Sequence, residues 1–235
     1  MKNIFYLFLI SIFLISCSQS EKEIVTEIKG DKLEQQMIKA YEEGVKALDQ
    51  GDVLFASKKF NEAELLFPQS DWAPRSSLMA SYSYWTQGYY SNSIEELKRF
   101  LKVYPKSKNL DYAYYLLAMN YYDSIVDEKK DLRPLNEAKK YFTLIINQYP
   151  ETDYALDANY KLGLIQDVMA AKEMYIARHY IDSEKWVPAI NRLQTVVKKY
   201  DDTIFIEEAL YRLVEIYYKV GLEDEAIKTA NILGY

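Results

Sequence analysis

Cysteine and histidine are almost missing from this chain, which has one of each, Cys17 and His179, in 235 residues. An intramolecular disulfide needs two cysteines, so none can form whatever the redox state of the compartment. A lone histidine likewise supplies neither a metal-binding cluster nor a nucleophile–base pair. We therefore expect no metal, no cofactor and no catalytic site, and we assign no role to His179.

Helix-breaking residues are also scarce, since the whole chain has 7 Gly and 6 Pro. The sequence shows neither the alternation of a half-buried strand nor a glycine-rich phosphate loop. Acidic pairs such as Glu42-Glu43 and Glu207-Glu208 lie on the solvent faces of predicted helices, which is typical of solvation rather than catalysis. The formal net charge is −6 and no basic run occurs, so we expect no nucleic-acid binding.

A helix–turn–helix unit recurs along the chain and is clearest between Ser93 and Tyr122. Four similar turns punctuate it: Phe67-Pro68-Gln69-Ser70, Tyr104-Pro105-Lys106-Ser107, Tyr149-Pro150-Glu151-Thr152 and Tyr200-Asp201-Asp202-Thr203. Twelve residues before the second residue of each turn stands a small side chain, and eight before it a large apolar one. The small residues are Ala56, Ser93, Ala138 and Ala189, and the large ones are Phe60, Leu97, Phe142 and Leu193. A small residue lets two helices approach closely, and the large one fills the adjoining space.

This pattern resembles tetratricopeptide repeats, and it implies an all-α, tetratricopeptide-like α-solenoid of five helix pairs. The repeats span residues 37–70, 74–107, 111–152, 156–203 and 207–235. Repeat three has a longer, charged turn between its helices, from Asp123 to Pro134. Repeat four has a long first helix, from about Tyr154 to Asp182. Because Asp201 stands where the other turns have proline, we expect that turn to be looser.

The N-terminus has the features of a secretory signal peptide. A basic start is followed by an apolar run from Ile4 to Ile15, which is shorter than the roughly 20 residues that span a bilayer. The segment from Leu14 to Cys17 resembles the bacterial lipobox, in which the cysteine receives a diacylglycerol; an ordinary signal peptide with a chance cysteine is the alternative. We predict a lipoprotein signal peptide over residues 1–16, a lipidated flexible tether over 17–30 and the repeat domain over 31–235.

With its lipobox, its five repeats and its extended fourth helix pair, the chain resembles the BamD family. These are lipoproteins of the machinery that assembles β-barrels in Gram-negative outer membranes. The run containing Trp186, Asn191 and Arg192 adds to the resemblance. It implies a non-enzymatic, lipid-anchored scaffold on the periplasmic face of the outer membrane. The implied partners are the barrel-forming (BamA-like) subunit, the other lipoproteins of the complex and C-terminal segments of unfolded outer-membrane proteins. It also implies that Arg192 pairs with an acidic residue of the barrel-forming subunit, with Trp186 and Asn191 nearby.

Aromatic residues are abundant, with 23 Tyr, 9 Phe and 3 Trp, and some fall where tetratricopeptide repeats face their concave groove. These predicted groove residues are Tyr41, Tyr82, Trp85, Tyr112, Tyr115 and Tyr122. Rings with a polar tip suit a peptide-binding surface, but the same rings could pack against the neighbouring helix instead. Two other functions remain open at this point. One is an adaptor of periplasmic cell-wall or division machinery, and the other is a lipid-anchored hydrolase, which the missing catalytic constellation disfavours.

Overall fold

The computed structural model describes the backbone of residues 24–125 and 131–234, and side chains from Lys32 onward within those ranges. Ten α-helices and no strand occur in these two segments. The helices are α1 (Ile24–Asp49), α2 (Val53–Leu66), α3 (Trp72–Thr86), α4 (Tyr90–Val103), α5 (Leu110–Asp123), α6 (Arg133–Gln148), α7 (Asp153–Asp182), α8 (Trp186–Lys199), α9 (Ile206–Lys219) and α10 (Glu223–Leu233).

The helices form five consecutive pairs, and each helix packs mainly on its neighbours along the chain. The core accordingly consists of buried clusters that follow one another from repeat to repeat. This arrangement confirms the predicted all-α solenoid of five helix pairs. The long first helix of repeat four is also confirmed, since α7 has 30 residues against 14 in α5.

The two repeat positions found in the sequence occupy the helix crossings. The four small residues, twelve positions before the second residue of each turn, and the four large apolar residues, eight positions before it, are all fully buried, at 0% exposure. At Ser93 the small side chain also donates a hydrogen bond of 2.8 Å to the carbonyl oxygen of Ser81 on the partner helix. A bulkier side chain at the small position would push the two helices of a pair apart. A smaller side chain at the large position would leave a void in the core.

The same backbone hydrogen bond forms in each of the four turns. In each, the amide of the residue three positions after the aromatic donates to the carbonyl oxygen of the aromatic. The N···O distances are 3.1 Å for Ser70 to Phe67 and for Ser107 to Tyr104, and 3.2 Å for Thr152 to Tyr149 and for Thr203 to Tyr200. The last turn therefore keeps this hydrogen bond with Asp201 in place of the proline, and its greater looseness stays a prediction. Thr203 also donates through its hydroxyl to the same carbonyl oxygen at 2.7 Å, as Ser70 and Thr152 do in two of the proline turns at 2.7 and 2.8 Å.

The first helix starts earlier than predicted, at Ile24 rather than near Asp31, so the segment assigned to a flexible tether is helical over its last seven residues. The polar composition of this stretch hid a helical spacing. Ile24 and Ile28 stand four positions apart, and no proline interrupts the run into α1. The rest of the predicted tether and the predicted signal peptide lie outside the described residues.

Candidate binding groove and docking surface

The first helices of repeats two to five are joined by side-chain bonds that all run in the same sense. Trp85 on α3 donates its indole N–H to a carboxylate oxygen of Asp123 on α5 at 2.8 Å. Tyr115 on α5 donates its hydroxyl to Asp157 on α7 at 2.7 Å. Arg178 on α7 then holds both carboxylate oxygens of Glu208 on α9, at 3.0 and 2.6 Å. We call these three links the first-helix ladder. Because each link joins consecutive first helices, the ladder holds the line of first helices together.

The predicted groove residues of repeats two and three gather around this ladder. Tyr82 lies 5.7 Å from Trp85 between ring centroids. Tyr112 and Tyr115 lie 5.7 and 5.0 Å from the ring of Tyr154 on α7. The structure thus brings together aromatic side chains from three successive first helices, α3, α5 and α7.

Tyr122 completes this aromatic group beside a lysine. The ammonium of Lys161 on α7 lies 5.2 Å from the centroid of the Tyr122 ring, close enough for a cation–π contact. On its other side the Tyr122 ring meets buried Phe142 edge-on, with centroids 6.4 Å apart.

Tyr41 lies apart from this group, in repeat one. Its ring stands 5.2 Å from Phe60 and 5.2 Å from Trp72, both edge-to-face. Tyr41, Trp72, Ile38 and Val45 line a mostly apolar cavity of about 430 Å³ between α1 and α3. All six predicted groove rings are half-buried and contact the core clusters, so their part in binding stays a prediction.

Four residues that contact the predicted groove rings of repeats two and three were missed in the sequence: Asp123, Tyr154, Asp157 and Lys161. The sequence could have identified three of them, because the helical spacing of positions 154, 157 and 161 places them on one face of a helix. Asp123 carried none, since its partner Trp85 is 38 positions away in the chain.

The carboxyl group of Asp123 is the most perturbed acid of the groove. Burial raises its pKa above the ordinary value of 3.8, while the indole N–H of Trp85 and the charge of Lys161 act in the opposite direction. A raised folded-state pKa means that this group stabilises the fold fully below its unfolded pKa. That contribution is lost as the pH rises through the folded pKa.

We therefore expect Asp123→Asn to gain stability relative to the parent chain as the pH is raised from below 4 to about 7. The amide oxygen can still accept from Trp85, while the buried charge is removed. Urea unfolding of both proteins at a series of pH values measures the difference, and every other titrating group cancels in the comparison. A difference that stays constant, or that shrinks with rising pH, would show that burial does not control this carboxyl.

The three predicted docking residues all lie on α8, and two of them contact different helices. Arg192 donates to Glu173 on α7 at 3.0 Å, a partner within the chain that sequence reasoning missed. Trp186 instead lies under the ammonium of Lys219 at the end of α9, 4.4 Å from the ring centroid. Asn191 is exposed. Arg192 and Trp186 are thus engaged with separate helices.

Comparison with known proteins gives this architecture a family. Residues 33–233 match the YfiO family model, described as outer membrane lipoprotein. The chain belongs to this family. Among its relatives, the outer membrane protein assembly factor BamD of Caulobacter vibrioides is 36% identical over 195 residues, covering 83% of this chain and 64% of that protein.

Two further BamD proteins are also similar to this chain. The BamD of Rickettsia prowazekii is 36% identical over 195 residues, covering 83% of this chain and 78% of that protein. The BamD of Neisseria meningitidis serogroup A is 27% identical over 205 residues, covering 83% of this chain and 77% of that protein. The matched family region spans the helix pairs that carry both the groove and the candidate docking residues.

Two predictions about this member of the outer membrane lipoprotein family concern its anchor and its chemistry. Cys17, the predicted lipidation site, lies outside the described residues. None of the helices that the structure describes is both long and apolar enough to cross a bilayer. His179 is exposed at the end of α7, with its ring 6.0 Å from that of Tyr180. Within the described part of the chain, no group of His, Cys, Asp and Glu side chains could hold a metal ion.

Proposed function

We propose that this chain is a non-enzymatic scaffold of the outer-membrane β-barrel assembly machinery, which helps to recruit and insert unfolded outer-membrane proteins. The observation that carries the proposal is the match over residues 33–233, whose relatives are named outer membrane protein assembly factors. The first-helix groove supports it, because a row of half-buried aromatic rings suits an extended chain with aromatic side chains. The proposed clients are C-terminal segments of unfolded outer-membrane proteins.

We place the protein on the periplasmic face of the outer membrane, held there by a lipid on Cys17. The lipobox-like segment from Leu14 to Cys17 supports this anchor. Acyl chains on one cysteine give stable attachment when at least two are present, because a single chain binds a membrane only marginally.

The proposed partners within the membrane are the barrel-forming (BamA-like) subunit and the other lipoproteins of the complex. Arg192 is the central residue of the proposed docking surface, with Trp186 and Asn191 beside it. Its side chain is 43% exposed, and Glu173 engages it through one terminal nitrogen. The guanidinium has other N–H groups, which can bind a carboxylate of the barrel-forming subunit while Glu173 holds the side chain in place.

Co-purification tests this docking proposal. We expect Arg192→Leu to lower the yield of the barrel-forming subunit that co-purifies with the full-length protein from detergent-solubilised membranes. Helicity and membrane attachment should not change, because the Arg192 side chain is 43% exposed and its ion pair with half-buried Glu173 is expected to contribute only about 1 kcal/mol to folding. Arg133→Leu is the control, since Arg133 pairs with Asp131 within repeat three and has no proposed role in docking.

The partners are identified by mass, which also separates the alternatives. Full recovery of the barrel-forming subunit by Arg192→Leu would remove Arg192 from the docking surface. Recovery of cell-wall or division enzymes in place of β-barrel assembly subunits from the parent chain would overturn the proposed function itself.

A further inference from the structure

Helix α7 carries an exposed stripe that the groove residues do not account for. Leu156 and Tyr160 on this helix are 75% and 65% exposed. Gly163 follows at the next helical step and is also exposed. Steps of four and three place all three residues on one face of the helix. We call this surface the α7 strip.

Gly163 lies in the interior of helix α7, where glycine is unfavourable. Glycine in a helix interior is less stable than alanine by about 1 kcal/mol, so a helical glycine needs a reason. At Gly44 on α1 the reason is visible, because an added Cβ would meet the Phe60 ring at 2.9 Å. A Cβ on Gly163 would find no atom of the chain within 4 Å, and the backbone of Gly163 has no left-handed φ. The fold itself therefore gives no reason for this glycine.

The α7 strip adjoins the aromatic groove. On the same helix, Tyr154 and Asp157 contact side chains of α5, and Tyr160 of the strip follows Asp157 at a helical step of three, so the two surfaces meet there. A segment that lies in the groove over α3 and α5 therefore reaches the strip as its next contact surface.

The charge and the length of the α7 strip indicate which kind of peptide segment it can bind. Asp153 and Asp167 continue the same face, three positions before Leu156 and four after Gly163. From Asp153 to Asp167 the helix rises about 21 Å, which matches about six residues of extended chain. The strip is thus apolar in its middle and acidic at both ends, and it is complementary to an extended apolar segment flanked by basic residues.

We propose that the α7 strip binds the main chain of such an extended, basic-flanked client segment, with the client backbone lying against Gly163. Without a Cβ at this position, a backbone can approach the helix more closely than any other residue allows. Leu156 and Tyr160 then contact the apolar side chains of the segment on one side of the glycine. This inference rests on the proposed function, since it names the surface that the client meets on repeat four.

Substitution of the glycine separates stability from binding. Gly163→Ala should raise the melting temperature by about 2–4 °C, because alanine favours the helix and meets no neighbour. The same change should weaken binding of a fluorescent peptide of alternating aromatic and polar residues, with a lysine at each end, by roughly threefold or more. Gly163→Leu keeps good helix propensity and should weaken binding further. Binding is measured by fluorescence anisotropy on the full-length protein in detergent.

His179→Ala is the control, because His179 is exposed on the same helix but lies on another face, about four turns beyond Gly163. It should leave peptide binding unchanged. A Gly163→Ala protein that binds the peptide as tightly as the parent chain overturns the α7 strip and leaves the proposed function standing. Failure of the parent chain to bind the peptide at all also overturns the α7 strip, whereas the proposed function is overturned only by the co-purification result described above.

Discussion

Replacing Arg99 by leucine is expected to lower the free energy of unfolding by about 3 kcal/mol. Arg99 on α4 binds both carboxylate oxygens of Glu64 on α2, at 2.8 and 2.6 Å. Glu64 is 5% exposed, and it also accepts the hydroxyl of Tyr104 at 2.7 Å. Without the guanidinium a carboxylate remains buried between repeats one and two with no cationic partner, which is the costly way to break a buried ion pair.

A matched ion pair elsewhere in the chain shows whether burial causes this effect. Arg133 and Asp131 also pair at 2.6 Å, but their side chains are 89% and 52% exposed. Arg133→Leu should therefore change the free energy of unfolding by less than about 1 kcal/mol. In urea unfolding, the Arg99→Leu/Glu64→Leu double variant should recover much of the stability, because two apolar groups replace the buried charge. Equal effects of the two single arginine substitutions would contradict this explanation.

The sequence was enough to predict the repeat architecture, because the signals that encode it are local. Each turn has its aromatic residue and its Ser or Thr within four positions, and each helix crossing has its small and large residues four positions apart. Such patterns depend only on the helical period and on turn chemistry, so the long helix α7 and the fully buried crossing residues were both predicted. The start of α1 was misplaced because a polar stretch was interpreted as a tether.

The pairings between repeats could not be predicted in this way. Trp85 and Asp123 are 38 positions apart, and Glu64 and Arg99 are 35 apart. Their meeting depends on the stacking angle of successive helix pairs, which no local pattern encodes. Arg192 shows the same limit, because sequence reasoning gave it a partner on another protein and the structure also gives it Glu173, 19 positions earlier in the chain.

Crosslinking to client proteins tests the groove formed by the first helices. A photo-crosslinking amino acid at Ile38 is expected to capture newly made outer-membrane β-barrel proteins in living cells. Ile38 is 41% exposed and lines the cavity beside Tyr41 and Trp72, so a crosslinker there replaces a side chain at the edge of the groove without opening the core. Edge-to-face rings around an apolar cavity provide the contact area that an aromatic client side chain needs.

Leu65 supplies the comparison, because it is 78% exposed but lies on α2, a second helix. Exposure alone would make Leu65 the better crosslinking position, whereas a groove of first helices makes Ile38 the better one. Both variants are expressed at the same level, irradiated and purified, and the captured proteins are identified by mass. The scaffold account predicts outer-membrane β-barrel clients at Ile38 and few or none at Leu65. Equal capture at the two positions, or no β-barrel client at Ile38, would contradict it.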